Sequence, residues 1–229
     1  MRLIISCMDR RLNEYLDSLN DGNTIFLRNG GANVKALKYS IGSIINDNNI
    51  SEIKVITHTD CGAMKVVAKA LNDEIKLSQD LVDNLVEQFR GVKFNNSAEL
   101  ENSNKEIQER EILTIASKHG IKASAELLDI SKIEDNGSKR EHEFYLMKPE
   151  KIKYAEVIGK DKMFSTYVIQ SMSLDEQYSD IEIATKVLGI AKGVIAANGS
   201  SEYRQAQIDM NRLKMSPFAE GIELSMKKV

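Results

Sequence analysis

The chain has 229 residues, 42% of them hydrophobic and 28% charged, with no Trp, two Pro and two Cys. Its 31 Lys and Arg against 34 Asp and Glu leave a formal net charge of −3, which argues against nucleic-acid binding, a function that shows as a basic excess or stripe. At this size roughly 70 to 75% of the unfolded surface can be buried, so neither disulfide nor metal is needed merely to fold.

The opening MRLIISCMDRR reaches an acidic residue at Asp9, without the apolar stretch of about 7 to 15 residues expected of a secretory signal. Apolar runs such as Leu3-Ile4-Ile5 fall far short of the ~20 residues that span a bilayer. The expectation is a soluble, cytoplasmic protein with no membrane partner and reduced cysteines.

Residues 2–6 (RLIIS) form a β-prone run ending at Cys7, followed by the helix-compatible DRRLNEYLDSL. A second run, Asn23–Leu27, stops at Arg28-Asn29-Gly30-Gly31. Leu37, Ile41, Ile44 and Ile45 then share one face of a helix from Val34 to about Asn46. Ile53–Thr57 reads as a buried strand, followed by His58-Thr59-Asp60-Cys61-Gly62 and a helix over Ala63–Leu71 with Asp60 as its expected N-cap. Helices are expected over Leu81–Phe89 and Glu106–Lys118, separated by the polar Asn95–Lys105, and Ile121–Ile130 as a strand.

The charge cluster Asp135–Glu143 is the expected boundary, dividing the chain into 1–138 and an α/β extension over 139–229 of unknown role. In the extension, Phe144–Met147, Met163–Met172 and Gly193–Ala197 read as strands, with helices to about Leu188 and Met215. That order suggests a degenerate internal repeat, laying TYVIQSM over RLIISCM, with Ser171 opposite Cys7, and GVIAANG over the strand before His58. Alternating strands and amphipathic helices indicate an α/β fold with a mainly parallel sheet flanked by helices, whose ligand site lies beyond the carboxyl ends of the strands.

Cys7 and the His58/Cys61 pair both fall at such ends. Two sulfurs and an imidazole nitrogen suit zinc, which in catalytic sites takes three protein ligands and leaves one position open. The residues alone also allow two inert buried thiols, or a reversible Cys7–Cys61 disulfide, against which the lack of C-x-x-C counts. Asp9 and Arg11, read alone, are an ion pair at a helix start, where the helix dipole favours an acid. Asn198-Gly199-Ser200-Ser201 opens a helix after a strand, a place where anions can bind. Neither phosphate-loop pattern is present around Gly30-Gly31.

Three motifs in order, C-x-D-x-R at Cys7-Met8-Asp9-Arg10-Arg11, the Arg28-Asn29-Gly30-Gly31-Ala32-Asn33 turn, and His58-Thr59-Asp60-Cys61-Gly62-Ala63-Met64, resemble the β-class carbonic anhydrases of the short archaeal and bacterial type. The resemblance spans roughly residues 2–72, and more loosely reaches 133. It implies that 1–138 is a zinc domain in which Cys7, His58 and Cys61 bind Zn2+. Asp9 and Arg11 would form a dyad in which Arg11 holds Asp9 off the metal. It further implies hydration of carbon dioxide to bicarbonate by zinc-bound hydroxide, making the protein a zinc lyase, and a homodimer or higher homo-oligomer.

The sequence departs from the family in Arg10, where Ser is usual, in RNGGAN for the commoner RNAGN, and in the extension. Two alternatives therefore stand: a carbon disulfide or carbonyl sulfide hydrolase using the same zinc site, and a non-catalytic zinc-binding regulatory or structural homologue.

Overall fold

The inner strands β1 (Arg2–Cys7), β2 (Thr24–Asn29), β3 (Glu52–His58) and β6 (Thr166–Gln170) are mostly buried runs, as strands covered on both faces must be. In the computed structural model, which describes residues 1–137 and 139–229, they join β4 (Lys122–Leu128), β5 (Glu143–Met147), β7 (Lys192–Ala197) and β8 (Glu223–Lys228) in one eight-stranded sheet. Its order is β4-β3-β1-β2-β6-β5-β7-β8, with every pairing parallel except β2 with β6. The expected boundary between 138 and 139 falls on a residue outside the described ones.

Side chains alternate between the two faces, as strand geometry requires. Leu3, Ile5, Leu27 and Val55 pack with residues of α2 (Lys38–Asp47) and α5 (Ser97–Ser117), while Ile4, Phe26 and Ile56 meet residues of α1 (Asn13–Leu19) and α3 (Gly62–Leu71) on the other side. The remaining helices are α4 (Gln79–Asn84), α6 (Tyr154–Val157), α7 (Leu174–Glu182), which continues into a π-helical turn over Ile183–Val187, and α8 (Gly199–Lys214).

Several expectations need correcting. Asn95–Lys105 is not a break: α5 starts at Ser97, capped by Asn96, which accepts from the Glu99 N–H, and runs 21 residues. Asp60 is not the cap of α3; that position is Cys61, and no side chain caps it. The strand expected over Met163–Met172 is only Thr166–Gln170, and β8 was not anticipated. Its alternating exposure at the sheet edge gives no sustained apolar run to read.

The two halves have the same topology. Outward from the centre, the first runs β2-β1-β3-β4 and the second β6-β5-β7-β8, so in each the order is second, first, third, fourth strand. Register agrees as well. Leu3 pairs with Ile25 and Ile53, which pairs with Ala123; Phe144 pairs with Tyr167 and Gly193, which pairs with Leu224. These rows make Arg28 equivalent to Gln170, and those two residues face each other where the halves meet. A residue meeting its own equivalent is the signature of a two-fold relation. The repeat expected in the sequence was therefore misaligned in its first strand. TYVIQ matches TIFLR of β2, so Ser171 is opposite Asn29 and Lys148 opposite Cys7, while GVIAAN does match the strand ending at His58.

Candidate metal centre

Adjacent pairing of β1 with β3 brings their carboxyl ends together and with them Cys7 and His58. The chain then turns through Asp60 at φ 54°, a left-handed conformation that a non-glycine residue adopts at a cost, and this folds Cys61 back beside them. All three side chains are buried, their sulfur and nitrogen atoms lie within 4.8 Å of one another, and the two Sγ atoms are 3.9 Å apart. Tetrahedral zinc with bonds of about 2.3 Å to sulfur places two sulfurs ~3.8 Å apart, so the spacing fits.

The nitrogen fits too. His58 Nδ1 lies 2.8 Å from the Thr59 carbonyl, which fixes that nitrogen as the N–H donor and leaves Nε2 with its lone pair free. Nε2 is buried and has no hydrogen-bond partner. A buried polar atom without a partner calls for an explanation, and an ion provides one. The Gly31 N–H points at Cys7 Sγ from 3.4 Å, supporting negative charge on that sulfur.

The electrostatics ask for a cation. The Cys61 hydrogen bond and the His58 charge hold the Cys7 thiol well below its usual range against the effect of burial. The same hydrogen bond and burial push Cys61 up, as expected when one of two touching thiols keeps the proton. Burial opposes charge on His58, yet the Cys7 thiolate and Asp9 raise it to about 9. Negative charge on Cys7 and positive charge on the imidazole thus favour each other, which is the field that a cation between the three side chains would satisfy.

Asp9 sits beside this group, its Oδ2 3.9 Å from His58 Nε2. Arg11 grips it with Nε on Oδ1 at 3.0 Å and a terminal nitrogen on Oδ2 at 2.7 Å, and the Arg11 N–H adds a third bond at 2.9 Å. Burial alone would raise the carboxyl; these bonds bring it to about 2. Arg11 is itself held by the Asp60 carboxylate at 2.8 Å, and Asp60 also pairs with Lys65. Asp60 thus orients the dyad's arginine. Arg10, whose direction the sequence did not reveal, turns away to make a two-pronged pair with Asp135, at 2.5 and 2.8 Å, and to donate to the Phe164 carbonyl.

The RNGGAN turn is shaped by contact. Gly31 has φ 74°, and a Cβ on Gly30 would lie 2.9 Å from Ile183 Cδ1, so both positions favour glycine for different reasons. Arg28 is fully buried, with Nε donating to the Cys7 carbonyl and a terminal nitrogen to the Asp9 carbonyl, while its guanidinium sits 5.0 Å above the Tyr154 ring.

Sequence reading missed three residues. On α5, Glu101 accepts from the Cys61 N–H at 3.1 Å, Asn104 donates to the Gly31 carbonyl at 2.9 Å, and Gln108 accepts from the Val34 N–H at 2.9 Å. All three are buried. Their spacing at i, i+3 and i+7 puts them on one face, so a polar stripe was the signal, and it is obscured because buried helix faces ordinarily show as apolar periodicity.

A cavity of about 190 Å³ opens beside Cys7. Asp9, Arg11, Asp60 and Lys65 make one side polar; Ala63, Tyr167, Ile183 and Leu188 make the other mostly apolar. Asp180 of α7 accepts the Gly30 N–H at 2.7 Å, and burial drives its carboxyl up to about 8. The expected anion position at Asn198 is filled from within, since the Asn198 N–H donates to Glu202 at 2.7 Å. His142 lies against Tyr167, edge to face, with centroids 5.7 Å apart.

Among known proteins, the carbonic anhydrase family model matches residues 2–142. The Bacillus subtilis (strain 168) protein named "Putative carbonic anhydrase YtiB" is 32% identical over 101 residues, covering 40% of this chain and 53% of the relative. The chain thus matches about half the length of that curated relative. Among solved structures, the β-carbonic anhydrase CafA of Aspergillus fumigatus is 15% identical, with TM-score 0.40, covering 57% of this chain and 71% of that one. One of two tetrameric β-carbonic anhydrases from Sordaria macrospora is 17% identical, with TM-score 0.40, covering 59% and 80%.

Proposed function

The chain belongs to the carbonic anhydrase family, and from that premise we propose that it hydrates carbon dioxide to bicarbonate and a proton at a zinc site held by Cys7, His58 and Cys61. The observation that carries this reading is the buried, unpartnered Nε2 of His58, an imidazole grouped within 4.8 Å with two cysteine sulfurs and beside a carboxylate already claimed by an arginine. In this reading residues 1–138 form the zinc domain and 139–229 its α/β extension.

Zinc, when bound, supplies a Lewis acid that brings the pKa of water to about 7. The protein's own groups do the rest. Arg11 keeps Asp9 ionised and turned toward itself, so that Asp9 accepts a hydrogen bond from the attacking water and aims it instead of ligating. With its pKa near 2, Asp9 is an acceptor throughout the neutral range and cannot serve as the acid. The apolar wall of Ala63, Ile183 and Leu188 receives a neutral linear substrate without demanding polar contacts.

The test is hydration of carbon dioxide followed by pH-indicator stopped flow on metal-replete protein, with sulfide release from carbon disulfide and carbonyl sulfide measured in parallel. Turnover of carbon dioxide supports the proposal. Sulfide release without carbon dioxide turnover moves the activity to the sulfur substrates. One zinc per chain with no turnover of any of the three leaves a binding or regulatory protein.

A further inference from the structure

Among the described residues, the second half has no Cys or His at the strand ends equivalent to those of Cys7 and His58. Register puts Lys148 where the first half has Cys7 and Asn198 where it has His58. The Lys148 ammonium donates to the Met172 carbonyl. Among the described residues, Cys7, His58 and Cys61 are the only group of three or more His, Cys, Asp or Glu side chains placed to share an ion.

The halves nevertheless support each other's turns in a matching way. After β2, the Gly30 N–H donates to Asp180 on α7; after β6, the N–H of Met172, the equivalent of Gly30, donates to Ser40 on α2 at 2.7 Å. Each helix that follows a second strand thus caps the turn after the other half's second strand. Such reciprocity is what a two-fold interface between two like units requires. The seam is also firmly made. Asn13 donates to the Met163 and Thr166 carbonyls, Asp17 accepts the Tyr154 and Ala155 N–H groups, and the Val168 N–H donates to the Met8 carbonyl at 3.1 Å.

That last bond is one residue beyond Cys7, and it brings Tyr167 into the wall of the cavity. From the same half, Ile183 and Leu188 close in on the turns that frame the metal centre. Ile183 Cδ1 lies at 2.9 Å from an added Cβ on Gly30, and Leu188 Cδ2 at 3.7 Å from one on Gly62. We propose that the C-terminal half is a metal-free second unit acting in cis, completing the site within a single chain and setting access to the metal through Tyr167, Ile183 and Leu188.

The homo-oligomer implied by the family resemblance is then not needed to complete the site. Substrate size is read by three side chains that belong to the extension. This inference rests on the metal centre proposed above, but not on carbon dioxide being the substrate.

The experiment uses full-length protein loaded with cobalt(II), whose visible spectrum reports binding of azide, a linear triatomic anion, independently of turnover. Sedimentation on the same samples reports the mass of the species that binds. Leu188→Trp should narrow the mouth and weaken azide binding about tenfold with cobalt content unchanged. Leu188→Ala and Tyr167→Ala should open it and speed azide exchange several-fold. These two variants keep the test decisive if the tryptophan is not tolerated. Leu113→Trp, on an exposed part of α5, is the control.

Wild-type protein should bind one cobalt and one azide as a monomer. Azide affinity and exchange within twofold of wild type in all three wall variants would overturn the proposal, as would azide binding confined to a self-associated species. A wild-type chain that binds no cobalt would overturn the metal centre and this inference together. Absence of carbon dioxide turnover with the azide effects intact would overturn only the substrate reading.

Discussion

The two halves of this protein share a strand order and a register, yet among the described residues only one of them brings together three side chains that could hold a metal ion. At the ends of β1 and β3 stand Cys7 and His58; at the ends of β5 and β7 stand Lys148 and Asn198. The backbone frame is shared, so the frame cannot be what makes a metal site. A few side chains at strand ends do that, along with the second layer that steadies them. In the first half α5 supplies Glu101, Asn104 and Gln108 to the turns around the candidate donors, whereas Glu202 of α8 closes the turn after β7 in the second.

The largest effect that could break this contrast is on metal content. Cys61→Ser should lower zinc affinity by more than about 100-fold, whereas Asn198→Ala should leave zinc per chain unchanged. Elemental analysis after dialysis checks both, and equal losses would mean that the halves are not so different. Next comes turnover. Asp9→Ala should keep the metal and lower kcat by about 100-fold, because the nucleophile loses its orienting acceptor. Unchanged turnover would remove Asp9 from the chemistry.

A supporting residue should cost less. Glu101→Ala strips the acceptor from the Cys61 N–H and should weaken zinc binding by about 10- to 100-fold, read by competition with a chromogenic chelator. Zinc affinity within twofold of wild type would make the α5 stripe a packing feature only.

A last test reads stability instead of the metal centre, at the seam between halves. The Asp180 carboxyl is raised to about 8 in the folded chain from an ordinary 3.8, chiefly by burial. Between those pH values the folded chain keeps a proton that the unfolded chain has released, so this group's contribution to stability falls as pH rises. Asp180→Asn keeps an acceptor for the Gly30 N–H and abolishes the titration. Its Tm relative to wild type should therefore improve steadily from pH 5 to pH 8. A difference that stays constant with pH would show that Asp180 does not titrate in that window.

Much of the site was legible in the residues themselves. Three short motifs each follow an apolar run, and parallel-sheet geometry sends such run ends to one edge, where Cys7, His58 and Cys61 gather. Local chemistry misled at Asp60. A helix start after an aspartate suggests a cap, but a positive φ at Asp60 turns its carboxylate toward Arg11 and Lys65. The polar stretch 95–105 misled for a related reason. Its residues look like a linker by composition, while in α5 Glu101 and Asn104 are buried against site turns and owe their polarity to backbone partners far along the chain.

The sequence by itself determined the strand-and-helix alternation, which depends on residue types within a few positions of one another, and it marked Cys7, His58 and Cys61 as candidate donors because each stands at or just after the end of an apolar run. The order of elements already suggested a repeat, but tertiary structure alone set the alignment of its first strands and the two-fold relation between the halves. Pairing between strands is set by packing across the sheet and leaves little trace in side-chain identity. It likewise decided that Tyr167, Ile183 and Leu188 wall the cavity beside Cys7, since no local pattern can relate side chains that come together only when two sheet halves meet.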